Sequence, residues 1–405
     1  MHILVVATNL PVPPNNGQSI RSLSIIQALE SSGHDLTFVS FANKRRPKDL
    51  LPLSSLCRSI DLLERETANL TQQADYLPRI RALLAFRSFS VERFRSAAMR
   101  EKIQGKLRAE RYDLIICDSI YALTNIPETK VPIALNCHNV EYVILERYSR
   151  LERNPVKKFY ARIESHFMRI AERRSSYRAS VAMVCSQVDL EILRLFRQDL
   201  PVFVVPNVVD TDLIRPVERS SLNGAGPVLL FQGGMDWYPN RDAVEFFARA
   251  ILPRVRAACP EARLIVAGRN PPSQFVERFR SDPMIEFTGT VPDMRPYLAA
   301  ATVVIVPLRL GGGTRIKILE ACAASRPIVS SSIGAEGLDL KPGEEIILAD
   351  EPVEFARSVV NLLQDPARSE AIAKSSRVAV VERYNHVTLK RSLDALISHF
   401  ILSGK

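Results

Sequence analysis

Short apolar runs alternate along the chain with longer stretches whose apolar residues recur at helical spacing. Ile3–Ala7, Leu36–Phe41, Asp113–Cys117 (DLIIC), Pro132–Asn136 (PIALN), Val181–Cys185 and Val202–Val205 read as buried strands. Between the first two, Ile20, Leu23, Ile26, Ala28 and Leu29 follow a helical period over about Gln18–Ser32, which Gly33-His34 ends. Residues 50–110 read as mostly helical and amphipathic, with no internal repeat. Ser186 is placed to cap a helix beginning near Asp189. The stretch Arg215–Pro227 (RPVERSSLNGAGP) is rich in Pro, Gly, Ser and Asn, so a linker is expected there. The alternation then restarts. Strands are expected at Val228–Gln232, Leu264–Ala267, Ile285–Phe287, Ala301–Pro307, Ile328–Ser330 and Glu345–Leu348, with helices from about Arg241 and over about Pro352–Phe400. Strands alternating with helices predict parallel sheets covered on both faces, an α/β fold. The pattern divides the chain into an N-terminal Rossmann-like domain over 1–214, a linker over 215–227 and a C-terminal Rossmann-like domain over 228–380. The helix over 381–405 is expected to pack back toward the N-terminal domain.

The most informative stretch is Leu308–Ser325 (LRLGGGTRIKILEACAAS). An expected strand leads into Gly311, Gly312 and Gly313, and Thr314 opens an expected helix. Free N–H groups in a first helical turn favour an anion, and glycine lets backbone approach closely. Arg315 and Lys317 add positive charge. Lys317 and Glu320 are three apart and share a helix face. A cation for phosphate followed by a carboxylate for sugar hydroxyls suits a nucleotide diphosphate. The same stretch is also what a glycine turn capping an ordinary helix looks like. It is neither a G-x-x-x-x-G-K-[ST] loop nor a G-x-G-x-x-G fingerprint.

Two further stretches carry polar groups to expected strand ends. Cys137-His138-Asn139-Val140-Glu141 follows PIALN, and ligands of open α/β sheets bind at the carboxyl ends of strands. Gly17 precedes a helix start, where a ligand or an ordinary turn would use it.

Composition narrows the class. The 405 residues are 46% hydrophobic and 24% charged, ordinary for a globular protein and long for a single core. No apolar stretch reaches the length of a membrane span, and MHILVVATNLP reads as a first strand rather than a signal peptide. Six scattered cysteines (57, 117, 137, 185, 259 and 322) without C-x-x-C suggest buried, reduced thiols and a cytoplasmic location, with neither a disulfide frame nor a zinc site. The net charge of +10 is lopsided. Residues 1–205 hold 30 Lys+Arg and 21 Asp+Glu, and Arg147–Arg178 alone holds ten basic and three acidic residues. Lys44–Lys48 (KRRPK) adds a basic loop. Such a half suits an anionic membrane surface or an anionic acceptor, and equally a solvated helix face.

Taken in order, the Gly17 loop, GHDLTFVS (33–40), the His138 loop, VPNVVDTDLIRP (205–216) and LEACAASRPIVSSSIGAEGL (319–338) resemble the retaining glycosyltransferases of family 4, a GT-B fold, over nearly the whole chain. The G-G-G-T-R-I-K run recurs in one branch of that family. The resemblance implies two Rossmann-like domains facing a central cleft. It implies a nucleotide-diphosphate sugar, UDP- or GDP-linked, as co-substrate and no separate cofactor or metal. The acceptor would be a glycan, glycolipid or other hydroxyl compound, and nucleic acid is not expected. Donor binding is expected from Gly17, Gly234, Arg269, Val291, Gly312, Gly313, Thr314, Arg315, Lys317 and Glu320, with Glu320 on the ribose. His138, Arg315 and Lys317 are the expected catalytic groups, and Arg21, Asn139 and Glu141 the expected acceptor side.

Two departures from the family pattern stand out. Gly312 occupies the position of the first glutamate of E-x7-E. Gly233-Gly234-Met235 stands where the family has Gly-Arg with a downstream lysine, and Asn240-Arg241 lies near the lysine position. Arg315 and Lys317 are candidates to replace the missing cations. The expected activity is a metal-independent, retaining hexosyl transfer in polysaccharide or lipopolysaccharide synthesis, in the cytoplasm or attached to the inner membrane face. A non-catalytic nucleotide-sugar-binding protein and a nucleotide-sugar 2-epimerase of the same fold are the alternatives.

Overall fold

The computed structural model describes residues 1–42, 50–64, 76–216 and 226–402. KRRPK (44–48) and residues 217–225 of the expected linker lie outside the described residues. The chain divides into two compact units, Met1–Pro206 with Leu389–Lys405, and Asn207–Thr388.

Unit 1 is built on seven strands: β1 (His2–Ala7), β2 (Asp35–Phe41), β3 (Ser59–Leu63), β4 (Leu114–Cys117), β5 (Ile133–Asn136), β6 (Val181–Val184) and β7 (Val202–Val204). All neighbours pair parallel, in the order β3-β2-β1-β4-β5-β6-β7. Ile3 sits opposite both Leu36 and Leu114, so the central strands are covered on both faces and read as unbroken apolar runs. Helices Gly17–Ser31, Glu141–Leu151 and Pro155–Arg178 belong to this unit. The C-terminal helix His386–Leu402 joins it from Leu389 onward. There Ser32 Oγ donates to Asp394 (3.1 Å) and Lys390 Nζ to the Ser31 carbonyl (3.1 Å).

Unit 2 repeats the plan with β8 (Val228–Gln232), β9 (Arg263–Ala267), β10 (Ile285–Gly289), β11 (Val303–Val306), β12 (Ile328–Ser330) and β13 (Ile347–Leu348). Their order is β10-β9-β8-β11-β12-β13, again all parallel. Phe231, Phe247 and Phe355 anchor its core. In each sheet the strand order reverses once, between β1 and β4 and between β8 and β11. Loops leaving the carboxyl ends of those strands diverge to opposite faces and open a crevice.

Three local expectations are corrected. The stretch after residue 50 contains β3, which among the described residues pairs only with β2 and is partly buried along its whole length. Its SIDLL pattern does not separate strand from helix. The helix after the glycine turn begins at Ile316, not Thr314, and Arg315 is its N-cap residue. Thr314 stays outside because its hydroxyl accepts from Asn207 Nδ2 at 2.7 Å. Residues 207–214 belong to unit 2, upstream of the expected linker. The Val209 N–H donates to the Tyr384 carbonyl (3.0 Å), and the Arg377 guanidinium holds the carbonyls of Thr211 and Ile214.

All six cysteines are free thiols, five of them buried, and burial pushes Cys57, Cys117 and Cys322 up to about 12. Among the described residues, no helix is long and apolar enough to cross a membrane.

Candidate functional site

In unit 1 the polar groups collect at the reversal of strand order. Asp118 follows β4 and His138 follows β5, both at carboxyl ends of buried strands. Asp118 Oδ1 accepts from Asn136 Nδ2 (2.7 Å), and Oδ2 accepts from Ser22 Oγ (2.7 Å). His138 Nε2 lies 2.9 Å from the Asp118 main-chain oxygen and 3.1 Å from Oδ1. Both are acceptors, which assigns the ring proton to Nε2. His138 Nδ1 is then a lone-pair acceptor in the neutral ring, and it is buried with no partner among the described residues. The side chain is 10% exposed. An orphaned buried acceptor calls for an explanation, and a ligand hydroxyl is one that fits its chemistry.

Arg21, expected on the acceptor side, is instead 2% exposed beneath this cluster. Its Nε and Nη2 donate to Asn136 Oδ1 (3.0 and 2.9 Å), and Nη1 donates to the Val205 carbonyl (2.6 Å). It orients Asn136, which in turn orients Asp118. Gly17 is the exposed first residue of its helix, which Asn16 caps through a reciprocal bond with Ser19.

Asn139 and Glu141 are partly buried and bonded to each other, Nδ2 to Oε1 at 3.2 Å. Burial holds the Glu141 carboxyl above its ordinary range. The first amides of the Glu141–Leu151 helix are occupied by Glu172, which accepts from the N–H groups of Glu141 (2.7 Å) and Tyr142 (3.2 Å). Burial and the neighbouring Glu141 push Glu172 up to about 8.

In unit 2 the expected donor residues lie in loops that leave β8, β9, β10 and β11 at one edge of the sheet: Gly234, Arg269, Val291 and Gly312 to Arg315. Lys317, on the first turn of the Ile316–Ala323 helix, reaches across to the Tyr238–Phe246 helix that follows β8. Its Nζ donates to Asn240 Oδ1 (2.9 Å) and sits 4.3 Å from the centre of the Phe231 ring. Asn240 Nδ2 donates to the Gly234 carbonyl (2.8 Å). Gly233 has φ +153°, and a Cβ there would stand 2.8 Å from both Lys317 Nζ and Asn240 Nδ2. Only glycine leaves that approach open. Burial, and then the charge of Arg315, brings Lys317 down to about 7.

One turn on, Glu320 accepts from Gln232 Nε2 at 2.7 Å, and burial brings its carboxyl up to about 7. Gln232, the last residue of β8, also donates to the Lys317 carbonyl (3.0 Å) and leaves its own Oε1 buried without a partner.

Arg315 behaves differently from Lys317. Its guanidinium folds onto the carbonyls of Gly312 and Gly313, closing its own loop. Gly311, at φ +143°, makes room for it. Arg269 is paired with Asp236 (3.1 Å), and its carbonyl accepts from the Met235 N–H (2.8 Å). Val291 is partly buried in the loop after β10.

Asp118, Asn136 and Gln232 are the members that the motif reading passes over. The rule that found His138, a polar residue at the end of an apolar strand, also selects Asp118 after LIIC and Gln232 after VLLF.

Comparison with known proteins gives a consistent result. The family model described as Glycosyltransferase Family 4 matches residues 15–213, and that described as Glycosyl transferases group 1 matches residues 226–365. An uncharacterised 44.6 kDa protein in the cps region of Klebsiella pneumoniae is 21% identical over 401 residues, 95% of this chain and 96% of that protein. Sucrose-phosphate synthase from Thermosynechococcus elongatus has the same fold with a TM-score of 0.72 at 18% identity, covering 100% of both chains. HepE from Anabaena, solved in complex with UDP and glucose, matches with a TM-score of 0.67 at 15% identity, over 98% of this chain and 100% of that one. Two parallel sheets of doubly wound order, matched over both halves by these two models, place the chain in its family: it is a glycosyltransferase of the GT-B fold, family 4 in its first half and group 1 in its second.

Proposed function

We propose that the protein transfers a sugar from a nucleotide-diphosphate sugar, held by unit 2, to a hydroxyl acceptor with retention of configuration. The observation that carries this reading is Lys317. A partly buried ammonium beside a glycine-lined loop, with a carboxylate one turn further on, is a site with a place for phosphate and a place for ribose. The Lys317 position also supports its replacing the cation that the segment after β8 lacks, since its Nζ meets Asn240 on the helix that follows that strand.

As the bond from the sugar to the diphosphate breaks, negative charge grows on the departing phosphate. Lys317 and the first-turn amides of the Ile316–Ala323 helix stabilise it where it forms. Arg315 contributes by holding the glycine loop in shape. Glu320, kept in place by Gln232, accepts hydrogen bonds from ribose hydroxyls. In unit 1, His138 Nδ1 accepts a hydrogen bond from a sugar hydroxyl. The departing phosphate takes the acceptor proton on the face the leaving group vacates, so no protein nucleophile and no metal ion is required.

UDP is the favoured base, because HepE from Anabaena was solved with UDP and with UDP-glucose. The relative from a cps region favours a role in surface polysaccharide synthesis.

Calorimetric titration with UDP, GDP and ADP tests the site. One nucleotide binds at micromolar Kd, and both Lys317→Ala and Glu320→Ala weaken it. Binding indifferent to both changes overturns the assignment. Anomeric analysis of the product by NMR tests retention. Conversion of the nucleotide sugar with no acceptor present makes the protein an epimerase instead, and binding without turnover makes it a non-catalytic nucleotide-sugar-binding protein.

A further inference from the structure

The Pro155–Arg178 helix carries seven Lys and Arg residues and two carboxylates, Glu164 and Glu172. Both carboxylates are buried and turned inward as caps for other helices. Glu172 takes the amides of Glu141 and Tyr142, and Glu164 accepts from Ser88 Oγ (2.7 Å) and the Ser90 N–H (2.9 Å). The charges on the solvent face of this helix are therefore all cationic, among them Arg162, Arg173 and Arg174.

The same face carries apolar side chains in water. Val156 is 75% and Phe159 67% exposed, and three residues apart they share one side of the helix. The Tyr76–Leu84 helix packs beside them. Arg79 lies over the rings of Tyr160 (5.6 Å) and Phe89 (5.5 Å), and Phe86 meets Phe167 edge-on at 6.1 Å. This second helix buries Ala82 and turns Leu77, Ile80 and Leu84 outward. Their spacing of three and four makes one stripe. Arg81 and Arg87 flank it. Phe86, 75% exposed, follows the helix at φ +53°, a left-handed conformation that a bulky residue adopts only at a cost. Glycine would end the helix without that cost. Isolated exposed apolar residues are ordinary, but a stripe of them beside an all-cationic helix face is an amphipathic surface of the kind that lies in a lipid interface.

We propose that this face of unit 1 docks on an anionic lipid bilayer. Leu77, Ile80, Leu84, Phe86, Val156 and Phe159 enter the headgroup boundary, and Arg162 and Arg173 meet lipid phosphates. Charge complementarity selects the occupant: a partner protein of mixed charge would leave these cations without counter-charge, whereas an anionic leaflet supplies it everywhere. The inference makes no use of the donor site.

Co-sedimentation of the full chain with vesicles tests it, read without donor or acceptor. The protein binds vesicles containing phosphatidylglycerol, binds pure phosphatidylcholine weakly, and is released as salt rises. Arg162→Gln with Arg173→Gln lowers the partition coefficient about 30-fold, about five-fold per cation. Leu84→Ser with Phe86→Ser, at side chains 73% and 75% exposed, lowers binding while leaving the salt dependence, with an unchanged circular dichroism spectrum showing that the fold is kept. Absence of binding to anionic vesicles overturns the proposal, as does binding unaffected by either pair. A dimer in lipid-free solution that both pairs dissociate also overturns it, making a second copy the occupant. Failure here leaves nucleotide binding untouched, so the two readings fail separately.

Discussion

The polar clusters of the two units are built on opposite terms. In unit 1, both carboxylate oxygens of Asp118 have donors, and Arg21 is held by Asn136 and the Val205 carbonyl. One atom is left over, His138 Nδ1. In unit 2, Lys317 and Glu320 stand on one helix face without forming a direct ion pair, and burial pushes both toward their neutral forms. Gln232 leaves an acceptor unused. The first cluster is complete and presents a single aimed atom. The second is an uncompensated pair that a ligand with phosphate and hydroxyl groups would complete. Changes in unit 2 should therefore act on donor affinity, and changes in unit 1 on turnover at unchanged affinity.

Lys317→Ala is the strongest way to break this contrast. The lost cation should cost about 3 kcal/mol of transition-state stabilisation, roughly 100-fold or more in kcat/KM, with nucleotide affinity falling in parallel. Steady-state kinetics beside calorimetry reads both. An affinity within twofold of the parent would move the phosphate site away from the Ile316–Ala323 helix.

Asp118→Asn tests the other half. The substitution keeps the shape but removes the charge that holds the His138 proton on Nε2. Turnover should fall about 100-fold with nucleotide Kd unchanged, the scale of a group displaced by about 1 Å. A parallel loss of affinity, with a lowered melting temperature, would make the cluster a structural support for the whole fold.

These two residues also show what was legible in the sequence. Lys317 announced itself because glycines, cations and a carboxylate were contiguous, and contiguity on a helix fixes geometry. Asp118 does not, because its partners come from two other segments, Ser22 from the first helix and Asn136 with His138 from the end of β5, that only the sheet order brings together. Buried central strands such as Val228–Gln232 and Ile328–Ser330 were readable to the residue, since both faces are apolar. The edge strand Ser59–Leu63, partly buried and mixed in character, is not legible within a stretch that reads as mostly helical. Arg21 was readable as a cation near a loop, but not as a buried one, because burial belongs to the fold and not to the motif.

Gly233→Ala sharpens the comparison without touching a charge. A methyl group there would stand 2.8 Å from Lys317 Nζ and Asn240 Nδ2, on backbone at φ +153°. The lysine must then swing off Asn240, because its flexible stem yields before backbone does. Nucleotide affinity should weaken about tenfold, the scale of a 1.4 kcal/mol loss. The far-UV circular dichroism spectrum should be unchanged. An unchanged affinity would mean that Lys317 does not need Asn240 to reach its ligand.

The smallest effect expected is the dependence of affinity on pH, and it is the most specific. In the free protein burial holds Lys317 near 7, and a bound diphosphate favours its charged form and raises it. Binding above pH 7 therefore takes up a proton. That share of the affinity is fully present below about 7 and is lost as pH rises toward the higher value of the complex. Glu320 works in the opposite sense. Burial holds it near 7, its carboxylate is the form that accepts from ribose, and binding lowers it, so affinity is lost as pH falls below about 7. The two limbs give a maximum near neutral pH, with a decline of about fivefold over two units on either side. Lys317→Arg, charged throughout, should flatten the alkaline limb and leave the acid one, and Glu320→Gln should do the reverse. A profile that neither substitution changes would assign the titration to the ligand's own phosphate, and the contrast between a completed cluster and an open pair would lose its electrostatic basis.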